Sequence, residues 1–269
     1  MSTKPRPSFP AKLDTSLHKA TPQTLLTATK VLTPQTTGRA KTTEVLSPSG
    51  VGLDSSAVRA RMVQKLMDQG IHDPAVLDAM GRVERHRFVD SALVNQAYED
   101  TSLPIGLGQT ISKPNVVARM IALLREAPGL QGQTHMGRVL EIGTGCGYQA
   151  AVLACVAHEV YSVERLRGLH DKARENLRPM RVANIHLIFG DGMLGYAQGA
   201  PYSAIISAAG GEAVPQAWID QLAMGGRLVA PTHTTSGQQA LVVVDKTPKG
   251  LQQTLYEAVN FVPLKSGVA

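Results

Sequence analysis

One run, Val139-Leu140-Glu141-Ile142-Gly143-Thr144-Gly145-Cys146-Gly147-Tyr148, limits what this chain can fold into more than any other. Its mainly apolar start reads as a buried strand, its three alternate glycines as a tight turn, and Tyr148 onward as a helix. Glycine lets the backbone turn sharply and pass close to a ligand that a Cβ would exclude. The pattern then alternates. Val160 to Val163, Ile185 to Phe189, Ala204 to Ser207 and Gly226 to Ala230 read as strands; Tyr148 to Ala157, Leu166 to Met180 and Val214 to Leu222 read as helices. Two late apolar runs, Ala240 to Val244 and Leu255 to Val262, flank a Pro248-Lys249-Gly250 turn and read as an antiparallel hairpin. The expected fold is α/β: a doubly wound, mostly parallel seven-stranded sheet, covered on both faces and antiparallel at its C-terminal end.

Upstream of the sheet, Val58, Met62, Val63, Leu66 and Met67 recur at helical spacing after Asp54, Ser55 and Ser56, and Gly70 ends the pattern. Asp73-Pro74 opens a second helix that reaches Gly81, and Pro114 opens a third that reaches about Ala127. Pro104, Gly106 and Gly108 punctuate Leu103 to Gly108, which reads as a loop, and Arg85-His86-Arg87 reads as a solvated face. Residues 1–56 differ in kind. They hold seven Lys or Arg against Asp14, Glu44 and Asp54, with six of the sixteen prolines, eleven Thr and seven Ser. Such a stretch buries too little apolar area to offset its ordering entropy, so it reads as a disordered basic extension to a domain at 57–269.

Composition removes several classes. The 269 residues can build a core without staples, and no run approaches the roughly 18 apolar residues of a membrane helix. Cys146 and Cys155 have no CxxC and no His at ligand spacing, so no metal is expected. The extension is acid-poor like a transit peptide but lacks an Arg-rich amphipathic helix, and no apolar secretory core is present; the expected location is cytoplasmic. A pI near 9.4 raises nucleic acid as a partner. Of the +6 net charge, however, +4 lies in residues 1–56. Nucleic acid is therefore expected only through the extension.

The glycine run is GxGxG and not the dinucleotide GxGxxG. Glu164 ends the next strand, 21 residues after Gly143, where a carboxylate can accept both hydroxyls of a ribose. Asp191-Gly192 ends the following strand at the same sheet edge, where an acid or a backbone N–H can read adenine. Glu141, one residue inside a buried strand, needs a partner. It either orients the loop amides or meets a ligand ammonium. Tyr98, Trp218 and Phe261 read as packing residues.

The run Gly108-Gln109-Thr110-Ile111-Ser112-Lys113-Pro114, with Ala97-Tyr98-Glu99-Asp100 and Leu103-Pro104-Ile105-Gly106 before it, resembles the protein-L-isoaspartate O-methyltransferase family. So do Leu140 to Gln149, Val160 to Arg165, Gly190-Asp191-Gly192, Gly225 to Val229 and Phe261-Val262-Pro263-Leu264. The resemblance covers about residues 57–269 in collinear order. It implies a class I S-adenosylmethionine-dependent methyltransferase, with N-terminal helices and a substrate loop over 57–127 and a cofactor core over 128–269. It also implies esterification of the free α-carboxylate of L-isoaspartyl residues in damaged proteins and peptides, with S-adenosylhomocysteine as product. Transferred residue by residue, Ser112 and Thr110 are the catalytic positions. The cofactor set is Ile111, Glu141, Gly143, Thr144, Gly145, Gly147, Glu164, Asp191 and Gly192. A monomer acting in protein repair is expected. The chain departs from the pattern at Cys146 and at Ala209-Gly210-Gly211, and the latter bears on the substrate cleft.

Other readings compete. Ser112-Lys113-Pro114 also fits a helix N-cap. A dehydrogenase would want the third glycine and a separate catalytic domain. A nucleic-acid methyltransferase wants an Asn or Asp, then Pro and an aromatic, after the fourth strand to grip a flipped base; Ile206-Ser207-Ala208-Ala209-Gly210 offers none. A binding module docked through its basic extension would show salt-dependent association.

Overall fold

The computed structural model describes residues 56–235 and 237–269; the proposed extension lies outside the described residues, Ser56 excepted. Two helices, α1 (Ser56–Asp68) and α2 (Pro74–Arg82), come first. Asp73 caps α2 by accepting from the N–H groups of Ala75 and Val76, with Pro74 just inside, as its sequence predicts. After two 3₁₀ turns at 85–88 and 91–96, the segment read as a loop forms a small antiparallel hairpin, β1 (Leu103–Gly106) and β2 (Gln109–Ile111). Gly106 and Gly108 have positive φ and make the turn, while Leu103, Ile105 and Ile111 are buried beneath it. The glycines thus mark a tight hairpin and not an unstructured connection.

Helix α3 (Pro114–Arg125) follows, then β3 (Met136–Ile142), α4 (Tyr148–Ala154), β4 (Ala157–Glu164), α5 (Arg167–Leu177), β5 (Ile185–Phe189), β6 (Tyr202–Ser207), α6 (Gln216–Gln221), β7 (Leu222–His233), β8 (Gln239–Thr247) and β9 (Gly250–Ala258). The large sheet has seven strands in the order β5-β4-β3-β6-β7-β8-β9, parallel from β5 to β7 and antiparallel across β7-β8-β9. The seven-stranded expectation holds. Strand β9 lies earlier than the apolar pattern suggested. Hydrogen-bond register with β8 carries Gly250 to Ala258, and Val259 to Val262 continue as non-strand chain. Leu251 and Leu255 on this edge strand are exposed, so apolarity there does not report core position.

Alternate residues of each strand enter two cores. Val139, Ala204, Ile206, Val229, Leu241 and Val243 join the residues of α1 to α4, whereas Leu140, Ile205, Leu228, Val242 and Val244 join Trp218, Ile219 and Tyr202. Continuous apolar runs such as Leu241 to Val244 are what a sheet covered on both faces requires. Arg227 of β7 grips Asp245 of β8 through two bonds of 2.7 and 2.8 Å and donates to the Leu123 carbonyl of α3. From β3 the chain winds one way to β4 and β5, then crosses to β6 on β3's other side. A crevice therefore opens outside the carboxyl ends of β3 and β6, the switch point where doubly wound sheets bind ligands.

Candidate active site

Beside that crevice, Gly143 and Thr144 donate to the Val163 carbonyl at 2.9 and 3.3 Å, which folds the loop back over β4. Gly145 has φ +57, and a Cβ there would stand 3.2 Å from Ile105 of the hairpin. Its N–H instead donates to Glu164 Oε2 at 2.8 Å, while Glu164 Oε1 accepts from Leu166 N–H at 2.9 Å. One carboxylate thus ties the glycine loop to the end of β4. At the end of β5, a Cβ on Gly192 would stand 2.6 Å from Ile142 Cγ2, so only glycine fits.

These groups line a cavity of about 450 Å³, whose walls include Gly143, Gly145, Glu164, Leu166, Gly192, Ile105, Thr110 and Val262 to Lys265. The volume and mix of apolar walls with a few polar groups suit a nucleoside-sized ligand. A second space of about 110 Å³ is lined by Ser102, Thr110, Ser112, Lys113 and Val259 to Val262. A third, of about 40 Å³, lies among Ile111, Ser112, Thr144, Cys146 and Gln149. Thr110 and Ala208 line all three.

Residues 57–269 match the family described as Protein-L-isoaspartate(D-aspartate) O-methyltransferase. The chain belongs to that family. It is 62% identical over 223 residues to the protein-L-isoaspartate O-methyltransferase of Leptothrix cholodnii, covering 82% of this chain and 78% of that one. It is 55% identical to the corresponding protein of Methylibium petroleiphilum over 98% of this chain and 97% of that one. A solved protein-L-isoaspartate O-methyltransferase superposes with TM-score 0.69 at 27% identity, covering 78% of this chain and 67% of the other. A Plasmodium falciparum structure described as a protein-L-isoaspartate O-methyltransferase in complex with S-adenosyl-L-homocysteine shares the fold, with TM-score 0.65 at 24% identity over 77% of this chain and 98% of that one.

The chain is therefore an S-adenosylmethionine-dependent protein carboxyl O-methyltransferase. Gly143, Gly145, Glu164 and Gly192 of the expected cofactor set line the large cavity, and Ile111 and Thr144 line the small one. Three residues of that set lie behind the walls. Gly147 is the N-cap of α4, packed against Leu177. Asp191 accepts one backbone N–H at each oxygen, from Met193 at 2.8 Å and from Gly267 at 2.6 Å. It buttresses the cavity by holding the last residues of the chain in place. Glu141 is fully buried and reaches the loop through hydroxyls, since Ser162 donates to it at 2.5 Å and bonds Thr144 Oγ1 at 2.6 Å. Neither the loop amides nor the cavity touches it.

Burial pushes the Glu141 carboxyl from 4.5 up to about 8, with the negative Glu164 nearby adding to the rise and Ser162 and Gln149 opposing it. Between those two values the folded enzyme keeps a proton that the unfolded chain releases. This contribution to stability is therefore full below 4.5, declines as pH rises, and is gone above about 8. Glu141→Gln mimics the protonated form. It is expected to flatten part of the decline in Tm between pH 5 and 8.5 and to be more stable than the parent at the upper end by a few kcal/mol at most. Thermal melts of both proteins across that range check this; parallel curves would refute it.

Sequence reasoning misplaced two groups and missed others. Ser112 does not cap α3: the N-cap residue is Lys113, and Asn115 N–H is taken by Asp100 at 2.9 Å. Arg85 is not on a solvated face but wholly buried. Ala208, Val262 and Leu264 went unread as wall residues. The Gly210-Gly211 departure has a use. Gly210 N–H donates to Val262 and its carbonyl accepts from Leu264 N–H, both at 2.8 Å, and this docks the terminal segment along the cavities. Gln239 clasps Phe261 from both sides, through bonds of 2.7 and 3.2 Å.

Proposed function

We propose that this methyltransferase esterifies the free α-carboxylate of L-isoaspartyl residues by alignment, with Thr110 and Ser112 at the meeting point of acceptor and cofactor. The observation that carries this is the lining of the 110 Å³ space: three hydroxyls, Ser102, Thr110 and Ser112, with Lys113 as its one charged residue. Hydroxyls and a single ammonium suit a carboxylate acceptor. Because Asp100 caps α3, the Ser112 hydroxyl is left for the acceptor.

The large cavity fits S-adenosylmethionine: Glu164 keeps free lone pairs for a ribose, and the Gly145 and Gly192 backbones leave room that a Cβ would fill. Bound there, the cofactor supplies a sulfonium-activated methyl group. An acceptor carboxylate is already anionic at pH 7, so the chain needs no strong base. Hydroxyls can orient that carboxylate without neutralising it, and holding it in line contributes several kcal/mol. Thr110, exposed on the hairpin, lines both spaces, and so does Val262. In the released product the following backbone nitrogen displaces methanol from the ester to form a succinimide, which water can reopen to aspartate.

The test is transfer of labelled methyl from S-adenosylmethionine to an isoaspartyl peptide beside its normal aspartyl twin. Label is expected in the isoaspartyl form alone, released by base as methanol. Label in neither peptide, with S-adenosylhomocysteine binding intact, would overturn the acceptor assignment. Among the described residues no helix is long and apolar enough to cross a membrane.

A further inference from the structure

Arg85 presents the sharpest mismatch between residue type and position. Its side chain is wholly buried, and withdrawing a guanidinium from water costs several kcal/mol unless hydrogen bonds replace the solvent. Here the replacements are backbone carbonyls. Nε donates to Ala97 at 2.8 Å, and Nη2 donates to Ser112 at 2.7 Å and, at a longer 3.4 Å, to Thr101. The guanidinium lies 4.8 Å from the centroid of the Tyr148 ring, a cation–π arrangement. These partners belong to separate parts of the fold. Ala97 follows a 3₁₀ turn, Thr101 leads into β1, Ser112 joins β2 to α3, and Tyr148 opens α4 directly after the glycine loop. A merely space-filling role would be served as well by an apolar side chain of similar volume.

Ser112 is held from two directions. Arg85 fixes its carbonyl, and Asp100 fixes the first turn of α3 two residues later by accepting from Asn115 N–H. The bond from Arg85 anchors the backbone from which the Ser112 side chain departs. Through Tyr148 the same guanidinium refers that position to the glycine loop.

We propose that Arg85 is a positioning residue for methyl transfer, acting through Ser112. It rests on the reading of Ser112 given under Proposed function. Arg85→Lys keeps a cation but can reach fewer of the carbonyls, and it lacks the planar fork.

The test uses the full chain, with kcat and KM for an isoaspartyl peptide, S-adenosylhomocysteine affinity by calorimetry, and Tm. For Arg85→Lys, kcat is expected to fall about tenfold to a hundredfold, as small misplacements in aligned sites do, with KM and product affinity within about threefold. Arg85→Met, which keeps volume without a donor, should lose at least as much kcat and still bind the product. Ser112→Ala should lower kcat similarly, and the Arg85→Lys/Ser112→Ala double variant should lose little more than Ser112→Ala alone. Losses that multiply in the double variant, a fall in product affinity matching the fall in kcat, or an Arg85→Met enzyme with parental kcat would each overturn the proposal. A parent chain inactive on the isoaspartyl peptide would instead overturn the functional reading, and this one with it.

Discussion

Glu164→Ala is expected to weaken S-adenosylhomocysteine binding by about a hundredfold or more, the largest functional loss from any single substitution considered for this chain. The carboxylate is 5% exposed, and each of its oxygens already accepts one backbone N–H, from Gly145 and Leu166. A carboxylate has about four lone-pair sites, so two remain for the ribose hydroxyls. Hydrogen bonds to a charged group contribute roughly 1.5–3 kcal/mol each, and losing two accounts for the expected drop. The alanine also unties Gly145, whose N–H would then lack a partner and whose loop would drift toward the hairpin. Glu164→Gln, with one acceptor oxygen left, should fall between parent and alanine. Calorimetric titration with S-adenosylhomocysteine decides the matter: affinity within threefold of the parent would remove Glu164 from the site.

The largest structural loss is expected from Trp218→Ala. Trp218 is 1% exposed and is the most voluminous fully buried side chain in the described residues. Truncating a buried Trp costs about 3–5 kcal/mol through lost transfer energy and the cavity left behind. For a domain of this size that is roughly a 10 °C fall in Tm. The indole also donates to the Gly192 carbonyl at 2.8 Å, so the damage reaches the cofactor cavity from behind. Trp218→Phe should recover most of the stability while still losing that bond. Chemical denaturation measures both; an alanine variant less than about 1 kcal/mol weaker would mean that the second core relaxes around the gap.

The sheet was legible because its signals are local. A strand buried on both faces is apolar throughout, a glycine turn interrupts it, and both features sit in a few adjacent letters such as Val139 to Gly147. Glu164 could be read for the same reason, since its place at a strand end follows from chain spacing. Arg85 could not. Its burial depends on three carbonyls contributed by Ala97, Thr101 and Ser112, none of which a residue type reveals. Ser112 has the form of a helix cap, and only tertiary structure shows that Asp100 has taken that work. Asp191 sits at the expected strand end, yet Gly267, 76 residues later, engages its carboxylate. Strand β9 shows the opposite limit. Its exposed Leu251 and Leu255 resemble core residues by type, while hydrogen-bond register with β8 sets its true span.

The walls of the 450 Å³ cofactor cavity and of the 110 Å³ space beside it differ in the residues they are made of. The cofactor floor includes the glycines Gly143, Gly145 and Gly192 beyond the strand ends, whereas the adjoining 110 Å³ space proposed as the acceptor wall has no glycine in its lining. A glycine floor leaves mutation little to work on, because any side chain at Gly192 would collide with Ile142. The acceptor wall has no such constraint. Selection can therefore rewrite which damaged chains are admitted without retuning the methyl donor, and the two specificities are free to evolve at different rates.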